Sequence, residues 1–394
     1  MADGVLRLKR GREQRARTHP WIFKGDVADV SDVRAGTAVA VVDATGRFVG
    51  RGFYNPRPAL CCRIVTWDDE ALDADFFRRR VGRALALRPD GGGRPVPRRL
   101  VWSEGDGLPG LVVDQYPPAV VVQCFTLGMH RTRPMIAAAL RAHLGEAPIF
   151  EADDAVAAER EGFAPARGWR DAPGPPGTIV EEGDAARPVR FTVSFGAGQK
   201  TGLYLDQRDN RARVAPLARG RAVLDAFSYV GGFAAHALVA GATRAVAIES
   251  SPEALAAARA NFERNGVAAR AELISANVFD ELRRLERAGT RFGVVVLDPP
   301  PFARSRAALE AADRGYKEIN LRAMRLLEAD GVLATFSCSY HVDEGRFEAV
   351  VRAAAADAGL AFRIVAPLPQ SADHPVLLGV PETRYLKGLL LQRT

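Results

Sequence analysis

Two apolar, β-branched runs end in side chains that can do chemistry on a planar base. Gly293-Val-Val-Val-Leu297 runs into Asp298-Pro299-Pro300-Pro301-Phe302, and forty residues after Asp298 the run Gly331-Val-Leu-Ala-Thr-Phe-Ser337 ends in Cys338. An open α/β sheet builds its sites outside the carboxyl ends of its strands, so these two ends are expected to meet. The prolines stiffen a turn and present carbonyls, and Asp298 adds an acceptor. Pro299, Pro300 and Asp298 can therefore hold the exocyclic amine of cytosine or adenine, with Phe302 as a stacking face. Two chemistries fit a held amine. In N-methylation the amine attacks a methyl donor and no thiol is needed. In C5-methylation of cytosine the ring carbon is a poor nucleophile until a thiolate adds to C6. Cys338 is where such a thiol can sit, although a cysteine at a strand end is by default an inert core residue.

A methyl donor needs its own cradle. The run 222–227 is strand-like and ends in Asp225-Ala-Phe227-Ser-Tyr-Val-Gly231-Gly232-Phe233. Gly231 and Gly232 let a backbone pass close to a ligand, and Asp225 can orient a cationic group. The next strand-like run ends in Glu249, about twenty residues on, where a carboxylate accepts from both hydroxyls of a ribose. A third ends before Asn277, whose side-chain carbonyl can accept from an adenine amine. A dinucleotide loop reads GxGxxG and cradles an anionic pyrophosphate, which Asp225 would repel. A sulfonium and an α-amino group would be attracted. The expected cofactor is S-adenosylmethionine, held by Asp225, Phe227, Gly231, Gly232, Glu249, Asn277 and Asp298; no metal is expected.

Such residues need a scaffold. The chain has 394 residues, which implies two or three domains. An apolar fraction of 47% with 26% charged residues is that of a soluble globular protein, and no run is long enough to span a bilayer. The N-terminus lacks an apolar signal core, which argues against export and for the cytoplasm. Cys61, Cys62, Cys124 and Cys338 include no CxxC pair, so neither a disulfide nor a zinc framework is indicated, and the first three read as small core residues. Net charge is +7, and residues 1–24 place seven basic side chains (Arg7, Lys9, Arg10, Arg12, Arg15, Arg17, Lys24) against Asp3 and Glu13. That local excess favours nucleic acid as a partner.

Residues 5–66 read as short strands with turn punctuation, the pattern of a small β-barrel. Residues 68–88 follow a helical pattern with Phe76, Phe77, Val81, Leu85 and Leu87 roughly on one face. Strands and a helix near 132–144 follow, and a Pro/Gly-rich linker spans 171–177. From 221 on, strands at 222–227, 244–248, 271–274, 293–297 and 331–336 alternate with helices, which predicts right-handed crossovers and a mostly parallel sheet. Runs at 362–365 and 385–391 can close it as an antiparallel pair. Asp206 can cap a helix through Arg213.

In combination these residues resemble the bacterial class I ribosomal RNA methyltransferases that carry an N-terminal PUA domain, most nearly the large-subunit cytosine-C5 group. The resemblance runs over nearly the whole chain. It rests on Leu8-Lys-Arg-Gly-Arg-Glu13 with His19-Pro-Trp-Ile-Phe23, on Glu104-Gly-Asp-Gly-Leu-Pro-Gly110, and on Gly198-Gln-Lys-Thr-Gly202 with Asp206-Gln-Arg208. To these it adds the loop after Asp225, the Asp298 turn, Phe336-Ser-Cys-Ser339, and Asp373-His-Pro375 with Tyr385-Leu-Lys-Gly388. The resemblance implies an α/β protein: a Rossmann-like methyltransferase domain (179–394), an N-terminal β-barrel PUA domain (1–68) and a middle α/β domain (69–178). It implies ribosomal RNA as partner, no membrane, and leaves a homodimer open. Cys338 corresponds to the nucleophile and Asp298 to its catalytic companion; Lys200 joins Pro299, Pro300 and Phe302 among the substrate contacts. Two positions depart from the pattern, Asn277 in place of Asp and Pro301 in place of Lys. No second cysteine stands at the Asp298 turn. Transfer to the amine, and an RNA-binding factor that uses the fold as a scaffold, remain the alternatives.

Overall fold

The computed structural model describes residues 4–88, 92–196, 202–303 and 305–394. Lys200 lies outside them. The chain packs into two compact units: residues 1–178 with 194–202 and 373–383, and residues 179–193 with 203–372 and 384–394. Two segments of the span 179–394, 194–202 and 373–383, are thus grouped with the first unit. Residues 373–383 pack with the first unit, where Asp373 Oδ2 accepts from the Arg99 amide at 3.0 Å and its carbonyl accepts from Arg88 at 3.0 Å. Arg88 is itself paired with Asp106 at 2.6 Å with both side chains buried, so the excursion closes a polar cluster inside its unit.

In the first unit, β1 (Gly4–Leu8), β2 (Trp21–Phe23), β3 (Val27–Val30), β4 (Thr37–Val42), β5 (Phe48–Tyr54) and β6 (Leu60–Thr66) form one sheet in the order β2-β6-β5-β4-β1-β3. Alternating apolar residues bury Leu6, Leu8, Val39, Val41, Cys62 and Ile64 on its inner face. A second sheet holds β7 (Arg98–Trp102), β8 (Leu111–Tyr116), β9 (Ala119–Cys124), β10 (Ile149–Ala152) and β11 (Arg167–Trp169), in the order β11-β10-β9-β8-β7. Helix Ala74–Ala86 starts where Asp73 accepts from the Phe76 amide at 2.9 Å, and it buries Phe76, Phe77, Val81 and Ala84. Leu87, expected on that face, is exposed because the helix has already ended.

The second unit carries the hairpin of β12 (Gly177–Glu182) and β13 (Val189–Ser194), and then a seven-stranded sheet. Its strands are β14 (Ala222–Ala226), β15 (Arg244–Glu249), β16 (Ala271–Ser275), β17 (Phe292–Leu297), β18 (Leu327–Ser337), β19 (Phe362–Pro367) and β20 (Lys387–Arg393). The order is β16-β15-β14-β17-β18-β20-β19, with β14 to β18 parallel and β20 antiparallel to both neighbours. All six residues of β17 are buried, the continuous apolar strand that a sheet covered on both faces demands. Helices such as Val278–Arg287, which turns Val278, Leu282 and Leu285 inward, and Leu309–Arg325 cover those faces. Between β14 and β17 the chain order reverses, so their following loops part and open a crevice.

Candidate active site

Four of the expected side chains stand at the carboxyl ends of four adjacent parallel strands: Glu249 on β15, Asp225 on β14, Asp298 after β17 and Cys338 after β18. Asp225 is buried. Its Oδ2 accepts from the Ala234 amide at 2.9 Å, while Oδ1 is buried with no hydrogen-bond partner. Burial pushes its carboxyl up to about 8, outweighing the Ala234 bond, and the charges of Asp298 and Glu249 push the same way. An orphaned buried acceptor is costly unless a donor arrives, and a cationic amino group is the donor that would restore the charge.

The loop after Asp225 is strained. Phe227 and Tyr229 sit at φ of 62° and 49°, and Gly231 follows at 74°. The two glycines serve packing within the protein as well as open space. A Cβ on Gly231 would lie 2.6 Å from the Phe262 ring, and one on Gly232 would lie 3.0 Å from Arg211. Arg211 forks onto Glu182 at 2.7 and 2.8 Å and donates to the Tyr204 carbonyl at 3.0 Å. His236, on the helix that begins at Gly232, lies 3.1 Å from the same carboxylate. Burial raises Glu182, but the Arg211 charge and the bonds from His236 and Arg211 overcome it and hold the carboxyl down at about 2. This buried triad straps the hairpin to the glycine loop.

Glu249 accepts from the Tyr229 amide at 3.0 Å with Oε2, and from Ser250 and Ser251 amides at 2.7 and 2.9 Å with Oε1. It pins the loop from the second strand, and Oε2 keeps capacity for a ribose hydroxyl. Asn277 is the N-cap of helix Val278–Arg287, its Oδ1 accepting from the Phe279 amide at 2.9 Å. Asparagine is among the residues that start a helix well.

The second half of the crevice is where base chemistry can occur. Asp298 Oδ1 accepts from Gln207 at 3.0 Å. Pro299 is buried, while Pro300 and Pro301 are exposed. Phe302 is not an isolated stacking face. Its ring packs against Tyr316 at 4.6 Å, Phe279 at 5.9 Å and Phe227 at 6.4 Å, which is the internal burial a large aromatic prefers. Cys338 is half-buried and its thiol lies 3.7 Å from the Pro299 carbonyl. Cys61, Cys62 and Cys124 are buried, and burial raises all three thiols, that of Cys124 to about 12.

Several members of the site were not foreseen. Tyr316 places its hydroxyl 2.9 Å from Ser337 Oγ and 2.8 Å from Ser339 Oγ, so the residues on both sides of Cys338 are clamped. Ser339 Oγ also accepts from the Ala303 amide at 3.1 Å, which ties the cysteine turn to the Asp298 turn. Lys387, opposite Ser337 across β18 and β20, buries its ammonium against the Ser339 and Tyr385 carbonyls at 2.8 and 2.7 Å. Tyr204 stands 5.0 Å from Tyr229, and burial raises its phenol, helped by the charges of Tyr229, Asp298, Asp206 and Cys338. Asp206 does not cap the helix Arg208–Val214, which has no side-chain cap; its Oδ2 accepts instead from the Tyr385 hydroxyl at 2.6 Å. A tyrosine two residues ahead of the distant β20 outcompeted the local amides.

Comparison with known proteins bears on this arrangement. Residues 123–361 match the family model of the S-adenosylmethionine-dependent methyltransferases, and residues 6–67 that of a PUA-like domain. Ribosomal RNA large subunit methyltransferase I of Shewanella denitrificans is 39% identical over 98% of both chains. The protein of that name from Klebsiella pneumoniae strain 342 is 38% identical over 97% of this chain and 96% of its own. Among solved structures, SMU.776 complexed with SAH superposes with a TM-score of 0.85 at 18% identity. The match covers 98% of this chain and 99% of the other, a likeness of fold.

Proposed function

The chain belongs to the S-adenosylmethionine-dependent methyltransferase family of the ribosomal RNA large subunit methyltransferase I proteins, and we propose that it methylates carbon 5 of a cytosine in 23S ribosomal RNA through a transient bond to Cys338. The observation that carries this reading is the placement of Cys338. It is the one half-buried cysteine of four, at the end of the strand beside β17, with its sulfur 3.7 Å from the turn suited to holding a base. S-adenosylmethionine supplies a methyl group already activated by its sulfonium. Asp225 accepts from the amino group, Glu249 from the ribose, and Asn277, through its second lone pair, from the adenine amine; Phe227, Gly231 and Gly232 shape the loop between them.

Cytosine C5 becomes nucleophilic when sulfur bonds to C6, and after methylation the C5 proton must leave before the sulfur is expelled. A base inside a duplex cannot present C6 to a thiolate, so the target cytosine is single-stranded or flipped out. Asp298 and the carbonyl at Pro299 hold its amine, and Pro300 offers an exposed edge beside them. Residues 1–68, with the basic excess of their first 24, grip the RNA, and Lys200 of the methyltransferase domain (179–394) is a further substrate contact; the phosphate contacts make binding salt-dependent.

The test is methyl transfer from labelled S-adenosylmethionine to unmodified large-subunit RNA, with the product nucleoside identified by mass spectrometry. The expected product is 5-methylcytidine, and Cys338→Ala is expected to abolish it. Full transfer by the Cys338→Ala protein, or a methyl group on an exocyclic nitrogen, transfers the assignment to the amine chemistry. Absence of S-adenosylmethionine binding in calorimetry would leave a scaffold that only binds RNA.

A further inference from the structure

A thiolate beside a low-dielectric turn needs a counter-charge, and Lys387 is placed to supply one. It begins β20 and pairs in register with Ser337, the residue before Cys338. Lys387 is 5% exposed, and its ammonium donates to the carbonyl of Ser339, the residue after Cys338, and to that of Tyr385. Those two bonds occupy two of three ammonium donors. Among the described residues, no carboxylate lies within ion-pair distance of it. A lysine buried this far with no carboxylate against it is uncommon, because desolvation of the charge goes uncompensated.

The groups that face it come from every element around it. Asp343 caps and Glu344 begins helix Glu344–Ala358, and Cys338 follows the neighbouring strand β18; these are the charged and titratable groups that act on it. Burial lowers the ammonium to about 8, and the opposing influence of Cys338 is the largest of those that raise it again, ahead of Glu344 and Asp343. A charge that depends on its neighbour in this way stabilises the neighbour's charge equally.

We propose that Lys387 is a positioning residue that holds Cys338 as the thiolate. This rests on the reading of Cys338 as nucleophile. The thiol proton passes to water, the sulfur keeps the electron pair beside the fixed ammonium, and the same ammonium receives the sulfur when it is expelled from C6. The role explains why a lysine, and not an apolar residue, occupies the buried start of β20.

The test reads the thiol itself, without RNA. Cys338 is alkylated with iodoacetamide across pH 5.5 to 10 in the full-length protein, with Cys338→Ser as the background for the three buried cysteines. In the wild type the midpoint is expected below the ordinary thiol value of about 8.5. Lys387→Met is expected to raise it by a unit or more and to slow alkylation at pH 7 at least tenfold. The two variants should converge at high pH, and Lys387→Arg should restore most of the loss. A wild-type midpoint at or above about 9 overturns the proposal even if Lys387→Met fails to fold. An unchanged profile in a folded Lys387→Met protein overturns it too. If the profile shifts as expected while Cys338→Ala still methylates RNA, the ammonium–thiolate pair stands and the nucleophile reading fails.

Discussion

Asp225→Asn is expected to stabilise the protein without cofactor and to weaken cofactor binding, opposite signs from one substitution. The carboxyl titrates at about 8 in the folded chain against an ordinary 3.8. Between those values the folded state binds a proton that the unfolded state has released. Stability therefore falls as pH rises from about 4 to about 8, by at most about 1.4 kcal/mol per pH unit. At pH 7 the loss reaches at most about 4 kcal/mol. Asparagine keeps an acceptor for the Ala234 amide and carries no charge to desolvate. Scanning calorimetry without cofactor should thus show the variant melting a few degrees higher at pH 8, with the difference vanishing near pH 4. Titration calorimetry should show weaker S-adenosylmethionine binding, by tenfold or more, since the buried charge that answers the amino group is gone. Wild-type binding should also take a proton from Asp225 below pH 8, visible as a buffer-dependent binding enthalpy that the variant lacks. A variant that melts below the wild type at pH 8 while binding cofactor equally well would refute the account of Asp225.

Glu182→Gln breaks the buried pair with Arg211 and leaves that guanidinium uncompensated, so a loss of about 3–5 kcal/mol is expected in urea unfolding. A loss under 1 kcal/mol would show that the strap is not structural. Tyr316→Phe removes the hydroxyl between Ser337 and Ser339 and leaves the aromatic packing. Methyl transfer should fall while S-adenosylmethionine affinity is unchanged, with a stability cost of about 1–3 kcal/mol; equal losses in affinity and transfer would place the fault in the cofactor loop.

The parts of the site legible in the sequence are those made by one strand and its own turn. Asp225, Glu249, Asp298 and Cys338 each follow an apolar β-branched run, and alternation with helices is enough to bring such ends to one side of a sheet. The strap of Glu182, Arg211 and His236 draws on three separated segments, and no local pattern announces that they converge. Lys387 and Tyr316 were hidden for a related reason. One opens a strand antiparallel to β18 and the other is an interior position of a long helix, so their relation to Cys338 exists only once the sheet order is known. An aromatic after a turn reads alike whether its ring meets solvent or other rings, and Phe302 packs against three of them. Asp206 stands just ahead of a helix in the sequence, whereas its hydroxyl partner is 179 residues away.

The strand order explains why one crevice can serve both a cofactor and a thiol. Asp225 ends β14, Asp298 follows the neighbouring β17, and Cys338 follows β18 on the far side of β17. Neighbouring strands lie about 4.8 Å apart, so two spacings, about 10 Å, separate the anchor for the cofactor's amino group from the thiol. In the chemistry proposed above, a methyl donor anchored at β14 and a cytosine held at the Asp298 turn would meet over β17, with the sulfur approaching the base from β18. That proposed chemistry requires the thiol to arrive at C6 within bonding reach while C5 faces the donor, and small errors in such geometry are costly. The clamp suits that demand: Ser337, Tyr316, Ser339 and the Ala303 amide fix the backbone on both sides of Cys338 and fasten it to the Asp298 turn. A cysteine that merely filled core space would need none of these bonds.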